Sequence, residues 1–447
     1  MKNWEMKIFL TVFCFILFGL LYVVKATAAE FQFWYGNTGR TGEAIQSLCG
    51  DFNKSQDEHS VKCVGQGGYE SAMQKAIAAY RAKKHPAIIQ FFEAGTLDVL
   101  MSGAMVPVSE VIWKAGYQVD WSDYLTAATN YYATDDGRLH ALPFNVSTLV
   151  FYVNDDKLHS AGVEKVPSTW EEFEQVLIKL KEFGEYCPFA YQLHPWWHLE
   201  QFSSIHGVPI ASLENGYEGL EPEYVFHETL HLRMMNDLKK WHDNDLALPP
   251  HKLASGNIAS AFAGGDCALL VTSTGSFSAI RQGSQSNNFN FSIHPVPHYE
   301  SVKSHNTLIG GAALWVMHGF DDSIYKGVAA FLDYISKPET QLGFTKLTGF
   351  LPVTNSARKL INELDQQDLP AFGSVNVGMT SLDKEGNQYT KGIRLGSYVR
   401  FRSIWIEELE KAFNNKISIE EALLRAKRRG DKLLKRFRRV YEGEEMP

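Results

Sequence analysis

Residues 31–35 read FQFWY, residues 59–64 HSVKCV and residues 87–92 AIIQFF, with two segments of helical periodicity between them. The three runs are rich in aromatic and β-branched residues, the composition of half-buried or buried strands. Gly42 to Ser55 brings Ala44, Ile45, Leu48, Cys49 and Phe52 onto one helical face, and Glu70 to Lys84 does the same with Ala72, Met73, Ile77 and Tyr80. Strand, helix, strand, helix, strand implies a parallel sheet with right-handed crossovers, so the fold class is α/β.

Such sheets bind ligands beyond the carboxyl ends of their strands. Here those ends are Tyr35-Gly36-Asn37, Gly67-Gly68-Tyr69 and Glu93-Ala94-Gly95-Thr96, with glycines that permit close backbone approach. Further along, a buried strand from Cys267 to Val271 runs into Thr272-Ser273-Thr274-Gly275-Ser276 and then a helix. Hydroxyls and free N–H groups at a helix start make an anion site, although Thr274 or Ser276 serves equally well as a simple N-cap. Thr169, with Glu172 three residues on, caps a helix from Trp170 to Phe183. Leu308 to Met317 reads as a strand and Asp321 to Ser336 as a helix. Trp405 to Asn414 and Ile419 to Arg439 close the chain as helices.

The N-terminus is a different kind of segment. Lys2 and Lys7 precede an apolar run from Ile8 to Val24, followed by Lys25 and Ala26-Thr27-Ala28-Ala29, the pattern of a secretory signal peptide cut after Ala28. A retained anchor is the alternative, because the run is only just long enough to span a bilayer. The whole chain has 447 residues, 43 Lys+Arg, 51 Asp+Glu and a net charge of −8. That balance fits a globular chain of two or three lobes and excludes a disordered chain, a multispanning membrane protein and a general nucleic-acid binder. Loss of Cys14 with the signal leaves Cys49, Cys63, Cys187 and Cys267, an even number in an oxidising compartment. Cys49 and Cys63 are favoured as a pair, on a helix and the strand after it. Cys187 and Cys267 read equally as a second pair or as buried thiols.

Taken together, Gly68-Tyr69-Glu70, Pro86-Ala87-Ile88-Ile89-Gln90, Glu93-Ala94-Gly95-Thr96, Pro143-Phe144-Asn145-Val146-Ser147-Thr148, Gly265-Asp266-Cys267-Ala268, Ile309-Gly310-Gly311-Ala312, Thr348-Gly349-Phe350-Leu351-Pro352 and Lys391-Gly392-Ile393-Arg394 resemble the extracellular solute-binding proteins of ABC importers. Within that family they are similar to the branch that binds sn-glycerol-3-phosphate and glycerophosphocholine. The resemblance implies a two-lobed, maltose-binding-like fold with the ligand cleft between the lobes. One lobe would hold residues 29–146 plus 299–336, the other 147–298 plus 337–447. It also implies a periplasmic, non-enzymatic monomer without cofactor, metal or nucleic acid, partnered by membrane permease subunits and their ATPase. The glycerophosphate ligand would meet Tyr69, Glu93, Ser147, Ser273, Gly311 and Arg402. In that scheme Arg402 gives a phosphate a bidentate fork, Glu93 accepts from glycerol hydroxyls, and the others donate to the remaining oxygens.

Three departures qualify the resemblance. Phe350 stands where the family has a tyrosine, which removes one phosphate donor. Leu193 stands where it has a tryptophan, with Trp196 and Trp197 nearby as substitutes. Tyr35-Gly36 follows Trp34 where it has His-Ser. Trp196, Trp197 and Tyr35 are candidates to line a pocket for a quaternary ammonium group, or are core packing. An oligosaccharide or other polar solute on the same scaffold is the alternative ligand. His227-Glu228-Thr229-Leu230-His231 fits the H-E-x-x-H pattern of zinc peptidases and makes that a remote reading. His194, His198 and His206 read as solvated or core histidines, and the basic tail from Arg425 to Arg439 as a solvated face with membrane or partner docking as the lesser option.

Overall fold

The structure, a computed structural model, describes residues 29–134, 137–364 and 369–447. The segment read as a signal peptide lies outside the described residues. Among the described residues no helix is long and apolar enough to cross a membrane.

Eleven strands are described: β1 (Ala29–Tyr35), β2 (His59–Gly65), β3 (Ile88–Phe92), β4 (Met105–Val106), β5 (Ala141–Ser147), β6 (Leu149–Asn154), β7 (Cys187–Ala190), β8 (Ala247–Leu248), β9 (Cys267–Ser273), β10 (Phe291–His294) and β11 (Gly310–Met317). The helices used below are α1 (Gly39–Ser55), α2 (Tyr69–Arg81), α3 (Thr96–Met101), α4 (Thr126–Tyr132), α5 (Trp170–Phe183), α6 (Leu230–Asp243), α7 (Phe277–Asn287), α8 (Asp322–Ser336), α9 (Pro338–Thr348), α10 (Tyr398–Phe413) and α11 (Ile419–Val440). The strands form two sheets, one in the order β2-β1-β3-β11-β4 with β5 on β11, the other in the order β10-β6-β9-β7-β8. Each sheet centres a lobe.

The first sheet is parallel where the periodicity demands it, β1 pairing with β2 and β3. It is mixed overall, because β11 returns antiparallel to β3, β4 and β5. Local pattern does not reveal a strand that joins a sheet more than 200 residues later. Phe31, Phe33 and Phe52 pack around Phe331 of α8, each buried ring contributing on the order of 2 kcal/mol. Ile77, placed from sequence on the packed face of α2, is instead 44% exposed. Ala72 and Ala76 are the buried residues of α2, with Met73 and Tyr80 partly buried against the same core.

In the second lobe Phe173 of α5 meets Phe189 of β7 edge-on and Trp241 of α6 at a tilt. Cys187 and Cys267 sit directly opposite each other on parallel neighbours β7 and β9 and are joined as a disulfide, so the free-thiol reading is corrected. Cys49 and Cys63 form the other disulfide, between α1 and β2.

The chain crosses between the sheets at Thr148, where β5 ends and β6 begins, and returns between β10 and β11. Two further contacts bridge the lobes at the segment leading into α10. The Asp98 carboxylate on α3 accepts from the Ser397 backbone N–H at 3.0 and 3.2 Å, and so caps α10, whose own Ser397 side chain makes no cap and whose φ is 55°. Burial pushes the Asp98 carboxyl up to about 6. Arg394 donates to the carbonyls of Asn130, Tyr131 and Ala133 at the end of α4. Anion at one helix start and cation at another helix end both follow the helix dipole.

Candidate ligand cleft between the lobes

The eight residues singled out from sequence, Tyr69, Glu93, Ser147, Trp196, Ser273, Gly311, Phe350 and Arg402, all line one open cleft of about 710 Å³. They are brought together by position in the topology. Tyr69 and Glu93 follow strands of the first sheet, Ser273 ends β9 of the second, and Ser147 and Gly311 stand at the crossings.

Tyr69 opens α2 directly after Gly67 and Gly68, whose φ values of 85° and 135° suit glycine alone. Its hydroxyl accepts from the side-chain amides of Asn145 at 2.7 Å and Asn37 at 3.1 Å. Gln90 joins the same network, donating to the side-chain oxygens of both asparagines. Burial, offset in part by those two asparagines, pushes the Tyr69 hydroxyl up to about 12, so it keeps its proton. With both asparagines donating to it, that proton is the group left to point at a ligand.

Opposite, Ser273 accepts from Gly275 N–H at 3.0 Å and starts the turn that enters α7. The first-strand and later glycines matter at Gly311, where φ is 100° and a Cβ would collide with the Asn145 carbonyl. Phe350 is buried, stacks on Phe344 with ring centroids 6.1 Å apart, and presents its ring edge to Gly275.

Arg402 is the residue whose surroundings differ most from expectation. It lies on α10, which begins at Tyr398, seven residues ahead of the helix start read from sequence at Trp405. Its fork is not open to a phosphate. Nε and Nη2 donate to the two oxygens of Glu200 at 2.7 and 2.6 Å, and Nη2 also donates to Glu93 at 2.6 Å. Arg402, Glu93 and Glu200 are 8%, 4% and 1% exposed, so two carboxylates and one guanidinium share a nearly dry site. Burial pushes the Glu93 carboxyl above its ordinary range, Arg402 opposing the shift and Glu200 adding to it. Burial also disfavours the Arg402 charge, but Glu200 and Glu93 outweigh it and hold the guanidinium protonated.

Glu200 escaped the sequence reading. It sits in an apolar run, Trp196-Trp197-His198-Leu199-Glu200-Gln201-Phe202, which the chain winds as a π-helical turn from Trp196 to Gln201. Such turns concentrate at functional sites. A buried acid in that run, with no cation within helical reach, was the available signal. The same turn sets Trp196 against the cleft: its indole N–H donates to Ile309 O at 3.3 Å and its ring lies flat on Gly310, where a Cβ would clash. Trp197 stacks on His194, ring centroids 5.0 Å apart, and both line the cleft. Burial pushes His194 down to about 3, so it is neutral. Tyr35, by contrast, is core: it packs against Phe33, and its hydroxyl accepts from Gln46 at 2.7 Å.

The H-E-x-x-H segment does not form the single helix a zinc site requires. Phe226–Glu228 is a 3₁₀ turn, Thr229 is extended with φ −111° and ψ −173°, and α6 starts at Leu230. His231 is buried with Nε2 on Leu199 O at 2.9 Å and Nδ1 on the Thr229 hydroxyl at 2.6 Å, so both nitrogens are engaged. Among the described residues no group of three His, Cys, Asp or Glu is arranged to hold a metal. We therefore expect zinc to leave the melting temperature unchanged. His231→Ala should cost about 1–3 kcal/mol by orphaning the Leu199 carbonyl, whereas His227→Ala should leave ligand binding unaltered. Stoichiometric zinc in the purified protein would contradict this reading.

The sequence profile of the family described as bacterial extracellular solute-binding protein matches residues 47–371. The chain is 36% identical over 416 residues to the sn-glycerol-3-phosphate-binding periplasmic protein UgpB of Yersinia pseudotuberculosis, a match spanning 91% of this chain and 93% of that protein. It is 35% identical over 419 residues to UgpB of Salmonella typhimurium, spanning 92% and 94%. Among solved structures it is similar to UgpB from Mycobacterium tuberculosis in complex with glycerophosphocholine, with a TM-score of 0.71 and 21% identity over 91% of this chain and 98% of that one. The GacH receptor of Streptomyces glaucescens, solved unliganded and with acarbose, gives a TM-score of 0.75 at 20% identity over 92% and 99%.

Proposed function

The chain belongs to the bacterial extracellular solute-binding proteins, and we propose that it captures sn-glycerol-3-phosphate or a glycerophosphodiester such as glycerophosphocholine and delivers it to an ABC importer. As a member of that family it acts in the periplasm with permease subunits and their ATPase. The observation that carries the ligand class is the mixed lining of the cleft, with hydroxyl and backbone donors at Ser147, Ser273, Ser276 and Gly311 beside the Glu93–Arg402 pair. We take the donors as one wall of the site and the ion pair as the other. A phosphate suits the first wall, because neutral donors at the start of a helix take an anion. Glycerol hydroxyls suit the second, donating to Glu93 and accepting from Arg402 Nη1, which has no protein partner among the described residues. This reverses the assignment of Arg402 to the phosphate, whose fork Glu200 already occupies.

We assign residues 29–146 with 299–336 to one lobe and 147–298 with 337–447 to the other. A ligand touching Tyr69 and Glu93 on one side and Ser273 on the other gains contacts in the closed form that neither lobe offers alone, and so shifts the population toward closure. Trp196 and Trp197 present the aromatic faces on which a trimethylammonium group would rest.

Calorimetric titration with glycerol-3-phosphate, glycerophosphocholine and maltodextrins tests the proposal. Binding of either glycerophosphate ester and not of maltodextrin is expected, and the reverse pattern overturns it. The Phe350→Tyr variant sharpens the test by restoring the missing donor. A hydrogen bond to a charged group is worth roughly 1.5–3 kcal/mol, so glycerol-3-phosphate should bind about tenfold more tightly. Glycerophosphocholine should gain less, having fewer free anionic oxygens. A larger gain for the diester would place Phe350 against the organic part of the ligand.

A further inference from the structure

Glu200 holds one edge of the Arg402 guanidinium, accepting from Nε and Nη2 at 2.7 and 2.6 Å, while Glu93 also accepts from Nη2 at 2.6 Å. With both carboxylates ionised, the triad carries a net charge of −1, and its three members are all nearly excluded from water. Nothing around it changes that sign near neutral pH. The facing titratable groups are Tyr131, Tyr132, Tyr224 and Tyr398, each pushed far up by burial, Tyr69, pushed up to about 12, and His194, pushed down to about 3. Asp98, beyond Tyr398, is committed to the start of α10.

We propose that Glu200 is a specificity-determining residue of this cleft: by neutralising Arg402 and leaving the triad one charge negative, it selects phosphodiester monoanions over phosphomonoester dianions. The inference rests on the glycerophosphate reading above and deepens it. A guanidinium facing a single glutamate would form a neutral pair and tolerate a dianion one glycerol length away. Adding Glu200 places an uncompensated negative charge there, and at the effective dielectric of a protein site the Coulomb repulsion between unit charges several ångströms apart is comparable to one hydrogen bond to a charged group. Phe350 acts in the same direction by withholding a donor that only the free oxygens of a monoester would fully use.

Two measurements test this. The first needs no variant. A phosphomonoester loses its second charge below a pKa of about 6, so the affinity of the wild-type protein for glycerol-3-phosphate relative to glycerophosphocholine should rise several-fold as pH falls from about 7.5 to about 5.5. Protonation of Glu93 would take the triad from −1 to neutral and raise the same ratio, so the second measurement, which removes the charge at fixed pH, separates the two causes. The second is Glu200→Gln, which keeps the shape and one acceptor for Arg402 while removing the charge. The monoester-to-diester affinity ratio should increase about tenfold or more, and its pH dependence should flatten. An unchanged ratio in Glu200→Gln, or equal losses for both ligands, would make Glu200 a structural brace only. A ratio in the wild type that is flat or falls with acidity overturns the proposal without recourse to the variant. Failure of the wild type to bind either ester overturns the glycerophosphate reading, and this proposal with it.

Discussion

Arg402→Ala should both unfold the protein more easily and abolish tight ligand binding. Among the described residues the guanidinium is the one cation paired with Glu93 and Glu200, which are 4% and 1% exposed. Deleting it leaves two buried carboxylates facing a cavity. Breaking a buried ion pair by removing one partner typically costs about 3–5 kcal/mol, and here two acids lose their partner together. Glu93 would relieve part of that by taking a proton, since burial already raises its pKa. The variant's stability should therefore recover in part as pH falls, because a carboxyl with a raised folded-state pKa gains stability from protonation at low pH and loses it as pH rises through that value. Ligand binding should weaken more than tenfold for both glycerophosphate esters, because Nη1 is lost and Glu93 is no longer held. Arg402→Lys keeps the charge without the fork and should restore less than half of either loss. Thermal melts and titrations on one preparation check both parts. Unchanged affinity would mean that the second wall of the cleft does not meet the ligand.

The second large effect concerns the Cys187–Cys267 disulfide. It joins adjacent parallel strands at the centre of the second sheet and closes a loop of 80 residues that contains the π-helical turn, Glu200, α6 and β8. Removing a disulfide of that span costs about 2–5 kcal/mol. Replacing both cysteines with serine adds the burden of two hydroxyls in a site where both residues are fully buried. The double serine variant should lower the denaturation midpoint accordingly, while a double alanine variant should lose less. Cys49 and Cys63 close only 14 residues at the edge of the first sheet, so their loss should cost less than that of the central bond. Chemical denaturation of the variants ranks the two bonds, and the opposite order would contradict this account.

The α/β class was legible because it rests on local pattern, apolar runs and helical spacing, whereas Tyr69, Glu93, Ser147, Ser273 and Gly311 were implied by the family resemblance and the structure places all five on one cleft. Thr169 likewise caps α5 as read, its hydroxyl accepting from Glu172 N–H at 3.2 Å. The companion Glu172 carboxylate, however, turns to Ser168 rather than back to the cap residue. What escaped depends on pairing across long separations. Glu200 and Arg402 are 202 positions apart, and neither neighbourhood announces the other. The antiparallel arrival of β11 and the bond between Cys187 and Cys267 are hidden for the same reason. His227 and His231 mislead in the opposite sense: the motif is complete as a string, but Thr229 leaves the helical region between them, and spacing alone carries no memory of φ and ψ.

The cap that Asp98 places on α10 has a mechanical consequence. A helix stoppered by its own first residue would ride with the second sheet alone, whereas α10 is pinned at its start to α3 of the first lobe and packs along its length on α11. Arg402, five residues further along, ties the same helix a second time through its ion pair with Glu93, just after β3. Closure that keeps both ties leaves the start of α10 seated against the first lobe.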